Sequence, residues 1–218
     1  MGVVTLSAAY GAGGPEVAPA VAERLGLPFH DRVIPVQVAA RLGVPVEEAE
    51  ANDETVVTGL WRMVASLGTL PDTVGGVVPG PGSPGAWAFR DQTERVLTEI
   101  ASPGGAGGVV LGRAAALVLG ERPDVLHVRL GGGRERRLAA AVERYGRPAQ
   151  ELRRELDAND RAREAYVRHF YRADASSPRH YHLVVDSTAL ALGTVVDLVV
   201  TAARSRGIGA VPAGAGSS

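Results

Sequence analysis

The stretch that decides the fold is Val3-Val4-Thr5-Leu6-Ser7-Ala8-Ala9-Tyr10-Gly11-Ala12-Gly13-Gly14-Pro15-Glu16-Val17. Residues 3–7 are a short, apolar, β-branched run closed by a glycine cluster, the pattern of a buried strand. Pro15 suits the first turn of a helix, where its missing N–H costs nothing. Val17, Val21 and Leu25 recur every four residues and give that helix one apolar stripe, and Gly26 ends it. Pro19 removes an early helical hydrogen bond and predicts a distorted first turn. Strand, glycine-rich turn and helix start thus follow one another directly. Such a turn aims backbone N–H groups and the positive end of a helix dipole at an anion. Yet all 23 of the chain's Lys+Arg residues are arginine. In most ATP-using enzymes built this way, a lysine at the end of the loop reaches the β- and γ-phosphates. Here no such lysine exists.

Beyond the loop, strand and helix patterns alternate. Pro28-Phe29-His30-Asp31 reads as a short strand with a polar residue at its end. Helices are expected over about 33–43 and 46–67, the second with Glu47, Glu48 and Glu50 in its first turn, where the dipole favours acid. Residues 75–85 run Gly-Gly-Val-Val-Pro-Gly-Pro-Gly-Ser-Pro-Gly, a loop rather than a strand. Further strands are expected near 108–112, 125–130 and 182–186. Helices are expected over about 89–101, 113–120, 134–145, 148–172 and 190–205. Residues 207–218, rich in Gly, Ala and Ser, read as a disordered tail. The alternation predicts an α/β fold of three layers, with a parallel sheet of about five strands flanked by helices.

At 218 residues, one domain over about 1–206 is the default expectation. Hydrophobic residues at 45% with a net charge of -1 fit a soluble globular chain and argue against a general affinity for nucleic acid. No apolar run approaches the roughly 18 residues a membrane span needs. The start, Met1-Gly2-Val3-Val4, lacks a signal-peptide pattern, so the expected location is the cytoplasm. The absence of cysteine excludes disulfides and thiolate metal sites. His180 and His182 would share a strand face, but with no third ligand no metal site is expected.

Three chemistry-bearing pieces fall in order: the glycine loop, Leu111-Gly112-Arg113 at a strand end, and Asn159-Asp160-Arg161-Ala162-Arg163. In a parallel sheet the carboxyl ends of the strands share one edge, where ligands bind. Arginine suits phosphate because its planar fork makes paired, charge-assisted hydrogen bonds. These stretches, with Leu25-Gly26-Leu27-Pro28-Phe29-His30-Asp31-Arg32 and Leu183-Val184-Val185-Asp186-Ser187-Thr188, resemble the cytidylate kinase-like proteins. That family is a divergent branch of the nucleoside monophosphate kinases. The resemblance spans almost the whole chain and implies a P-loop kinase-like architecture. A monophosphate-binding helical region would occupy about 32–90 and a lid about 147–180, each placed by motif order.

Carried over position by position, the resemblance implies that Gly11, Ala12, Gly13, Gly14, Pro15 and Glu16 form the loop around the donor phosphates. Asp31, Arg32, Arg90 and Arg113 would lie against the acceptor, with Arg113 on its phosphate. Arg161 and Arg163 would act with Arg113 in catalysis as lid arginines. ATP and Mg²⁺ are the implied cofactors, and nucleotides the implied partners. The departures are equally specific. Ala8 stands for the loop's first glycine, Gly14 for its lysine and Pro15 for the hydroxyl that touches Mg²⁺. Leu111 and Ala114 stand for the two acids of the Asp-Gly-Arg-Asp run found in bacterial cytidylate kinases. Three functions therefore stand open: a kinase of CMP or dCMP, a degenerate nucleotide- or phosphate-binding module, and a kinase with a non-nucleotide acceptor.

Overall fold

The structure, a computed structural model, describes residues 2–30, 84–112 and 114–209. Five strands form one sheet: β1 (Val3–Ala8), β2 (Phe29–His30), β3 (Gly108–Leu111), β4 (Val125–Gly131) and β5 (Leu183–Asp186). Every pairing is parallel and the order is β2-β3-β1-β4-β5. The chain leaves β1 toward one side of the sheet and β4 toward the other. The carboxyl ends of these neighbours therefore form the point where connections diverge and a crevice opens.

Strand alternation sorts the core into two layers. Val4 and Leu6 of β1 and Leu126, Val128 and Leu130 of β4 face α1 (Gly14–Leu25) and α6 (Leu192–Ser205). Val3, Val110 and Val125 face the other way, toward α2 (Pro84–Ile100) and α3 (Ala115–Leu119). Each buried Val or Leu contributes about 1.5–3 kcal/mol through removal of apolar surface from water. A third, smaller cluster of Leu138, Ala141, Leu152 and Leu156 joins α4 (Arg134–Tyr145) to α5 (Ala149–Tyr171). These two helices form a hairpin beside the carboxyl edge of the sheet.

Several local expectations shift for physical reasons. Helix α1 runs unbroken through Pro19. Helix α2 begins at Pro84 rather than near residue 89, because a proline's fixed φ suits a first turn. Ile208, placed in the tail by composition, is 1% exposed and packs into the first core layer. The helices expected at about 33–43 and 46–67, most of the glycine–proline loop and the last residues of the tail lie outside the described residues. The described helices include none that is long and apolar enough to cross a membrane.

Thr5 and His127, buried in the second layer, are matched to each other. The Gly120 carbonyl, 2.8 Å from His127 Nε2, can only accept, so Nε2 carries the proton. Nδ1 is then the acceptor for the Thr5 hydroxyl at 2.7 Å. Burial pushes the His127 pKa below its ordinary value of 6.5 and holds the ring neutral. His182 stacks on it at 5.1 Å and accepts the His127 backbone N–H. The pair fills a structural niche, and the described residues contain no cluster of three metal-ligating side chains.

Candidate functional site

Residues 9–13 form a tight loop between β1 and α1, with Gly11 at φ 79° and Gly13 at φ 76°. Both glycines are required where they stand. A Cβ on Gly11 would lie 2.2 Å from the Arg137 carbonyl oxygen, and one on Gly13 would lie 2.8 Å from the Leu192 side chain. Three carbonyls in or beside the loop are held by side chains. Arg163 Nη1 donates to the Ala8 oxygen at 2.6 Å, Arg137 Nη1 to the Tyr10 oxygen at 3.0 Å, and the Ser187 hydroxyl to the Ala12 oxygen at 2.7 Å. Among the described residues, the N–H groups of Gly11, Gly13 and Gly14 have no protein acceptor. Such a run of free N–H groups at a helix start is a concave anion cradle.

Two departures from the usual loop are sterically linked. A Cβ built on Gly14 would lie 2.4 Å from the Ala8 Cβ. The methyl of Ala8, where a glycine is usual, fills the space that a side chain at position 14 would enter. Glycine at 14 and alanine at 8 form one compensated pair. Pro15 supplies neither a hydroxyl nor an N–H.

Arginines hold the loop from the hairpin. Arg137, almost fully buried, grips both Asp160 oxygens at 3.2 and 2.7 Å and also donates to the Gly132 and Tyr10 carbonyls. Arg144 pairs with Glu16 at 2.5 Å, which ties the end of α4 to the first turn of α1. Tyr10 inserts from the loop against the hairpin cluster, meets the Tyr145 ring at 6.2 Å and donates to Glu155 at 2.8 Å. Burial beside that carboxylate pushes the Tyr10 pKa above its ordinary 10. None of these roles follows from residue type alone. One signal was available: Arg137, Ala141 and Arg144 share a helical stripe with the buried Leu138, so two arginines face inward.

The expected site residues separate as follows. Gly11, Ala12, Gly13, Gly14, Pro15 and Glu16 all lie in the loop or the first turn of α1. Arg163 turns inward from α5 to the Ala8 carbonyl and the Ser7 hydroxyl. Arg161, two positions earlier, lies exposed on the opposite side of that helix. Burial, and then the neighbouring Arg129 guanidinium, push the Arg163 pKa down to about 10. Arg90 on α2 pairs with Asp91 at 2.7 Å and Glu94 at 3.3 Å. Arg113 lies outside the described residues, but its neighbours do not. Gly112 donates to the Leu6 carbonyl at 2.7 Å. Asp31 and Arg32 also lie outside the described residues.

A family model described as the cytidylate kinase-like family matches residues 3–189. This chain belongs to that family. The match covers the glycine loop, the sheet and the α4–α5 hairpin, and with the five-stranded parallel sheet it establishes a P-loop kinase-like fold. Among solved structures, the chain is similar to a protein from Eubacterium ventriosum at 15% identity. That likeness covers 94% of this chain and 99% of the other, with a TM-score of 0.65. A gluconokinase from Sinorhizobium meliloti is 17% identical over 94% of this chain and 92% of its own, with a TM-score of 0.49. Among curated proteins, a uronate isomerase from Corynebacterium glutamicum is 26% identical over 140 residues, or 64% of this chain. The chain spans about a quarter of that relative, 26% of its length.

Proposed function

We propose that this family member is a phosphotransferase that moves the γ-phosphate of ATP to a nucleoside monophosphate, with CMP or dCMP as acceptor. The observation that carries the reading is the loop at 9–13, where side chains hold the Ala8, Tyr10 and Ala12 carbonyls and, among the described residues, the N–H groups of Gly11, Gly13 and Gly14 have no protein acceptor. Family membership supplies the kinase class.

The residues present fit the ATP phosphates through Gly11, Gly13 and Gly14. They do not fit a Mg²⁺ ion held by a loop hydroxyl, because Pro15 has none and Glu16 is paired with Arg144. No step is therefore assigned to a metal on the loop. Phosphoryl transfer needs chiefly positioning and charge neutralisation. In this reading the loop N–H groups fix the donor phosphates, and Arg163 and Arg137 hold the loop rigid from outside. Arg113 takes the acceptor phosphate, with Asp31, Arg32 and Arg90 around the acceptor. Arg161, exposed on α5, closes over the transferring group. The bond between the γ-phosphorus and the β–γ bridging oxygen breaks as an acceptor phosphate oxygen bonds to that phosphorus, leaving ADP.

Transfer of labelled γ-phosphate from ATP·Mg²⁺ to CMP, dCMP, UMP, AMP and GMP tests the reading. The expected result is transfer to CMP or dCMP, reduced on the order of 10²-fold or more in Arg113→Ala. Saturable ATP binding with no transfer to any acceptor would instead identify a binding module. The Ala8–Gly14 pair and Pro15 favour that second reading, since the loop has lost both its cation and its hydroxyl.

A further inference from the structure

A cavity of about 620 Å³ lies between α5, the carboxyl ends of β4 and β5, and the segment around residues 174–176. It touches the phosphate loop only at Ala9. Four arginines line it: Arg129, Arg137, Arg163 and Arg168. Two are neutralised locally, since Arg137 holds Asp160 and Arg168 holds Glu164. Asp186, also in the wall, is held by Arg136 and by Thr188. Asp174 turns one oxygen to the Ser176 N–H and hydroxyl at 2.7 and 2.6 Å.

Arg129 and Arg163 remain. Among the described residues neither meets a carboxylate at ion-pair distance, and both hold neutral partners. Arg129 Nη1 donates to the Ala175 carbonyl at 2.9 Å, with its guanidinium 5.7 Å from the Tyr181 ring centre. Arg163 donates to the Ala8 carbonyl and to Ser7. Both side chains are only partly exposed, and their mutual repulsion contributes to the depressed Arg163 pKa. Asp174 and Asp160 act on them only through space, so two guanidiniums at one cavity wall, hydrogen-bonded to neutral partners, are stabilised by an anion that accepts from both.

We infer that this cavity is a second anion site, separate from the phosphate loop, which takes a phosphate group between Arg129 and Arg163. The cavity is large enough to admit a small phosphorylated molecule around that group. Because Arg163 also fixes the Ala8 carbonyl, an anion here would order the loop from behind. The inference goes beyond the kinase reading and stands whether or not transfer is found.

The test is equilibrium dialysis of the full chain with labelled inorganic phosphate, with and without saturating ATP. Two variants accompany it. Arg129→Gln removes one guanidinium. Val184→Glu adds a carboxylate on the neighbouring strand position, because Val184 registers with Arg129 and is 52% exposed, so the change is tolerated by the fold. The expected result is saturable phosphate binding that persists in saturating ATP, which fills the loop, and that is weakened about tenfold or more in each variant. Absence of saturable binding under saturating ATP, or unchanged affinity in both variants, would overturn the inference. Failure of ATP to bind at all, with phosphate binding lost in the variants, would sink the kinase reading and leave this site standing.

Discussion

The glycine loop has two supports of opposite chemistry. Beneath it lies the sheet, where Leu6, Leu130 and Val17 are fully buried in one apolar layer. Beside it lies the α4–α5 hairpin, whose apolar cluster is small and whose grip on the loop runs through arginines. Apolar burial is non-directional and scales with area, so the sheet fixes where the loop sits. Hydrogen bonds from a rigid fork are directional, so the hairpin fixes which way each loop carbonyl points. An anion cradle needs both, since it is defined by the orientation of its N–H groups.

The first way to break this comparison is from below. Leu130, on β4 beside Ala8, is fully buried, and its carbonyl accepts the Ala9 N–H. Leu130→Ala is expected to cost about 2–5 kcal/mol through lost transfer energy and a residual cavity. Denaturant unfolding should show the midpoint falling with little change in slope. A loss below about 1 kcal/mol would mean that the site collapses around the gap and the sheet is not the loop's main support.

The second is from the side. Arg137→Gln leaves Asp160 without its bidentate partner and the Tyr10 carbonyl without a charged donor. The Asp160 side chain is 37% exposed, so water recovers part of the loss, and about 2–3 kcal/mol is expected. Arg134→Gln breaks a similar two-pronged contact with Asp157, but both side chains are solvent-screened, so stability should change little. The contrast sharpens if ATP affinity falls in Arg137→Gln and holds in Arg134→Gln. Equal effects on affinity would show that the hairpin does not orient the loop.

The same contrast explains what was legible in the sequence. The strands follow from short apolar, β-branched runs and the amphipathic helices from a period of 3.6, both of which depend on the side chains alone. The β1–α1 unit and the helix at 134–145 stand where their patterns put them. Glycine at 11 and 13 was legible because the backbone there is left-handed. The arginine partners were not. Arg136 and Arg137 are adjacent and chemically identical, yet one holds Asp186 on the exposed side while the other is buried beneath Tyr10. Composition marks the segment as a solvated charged helix, and only the packing of Leu138 and Ala141 rotates residue 137 inward. Tyr10 presented the same problem, because its partners Tyr145 and Glu155 come from distant helices.

The smallest effect tests the polar layer of the sheet by pH. His127 is held neutral, chiefly by burial, with the Thr5 hydroxyl on Nδ1 and the Gly120 carbonyl on Nε2. His182, stacked against it, is depressed in the same direction by burial and then by Arg206. A folded pKa below the unfolded value means that the unfolded chain binds more protons at mildly acid pH. The stability these rings supply is therefore complete above about 6.5 and is lost as pH falls through the lower folded values. His127→Gln keeps a polar group near Gly120 and removes one titration. Urea midpoints measured across this range should be lower than wild type at neutral pH and fall less steeply on acidification. Parallel curves for the two proteins would place the acid sensitivity in the hairpin's carboxylates, and the directional half of the loop's support would then be the acid-labile one.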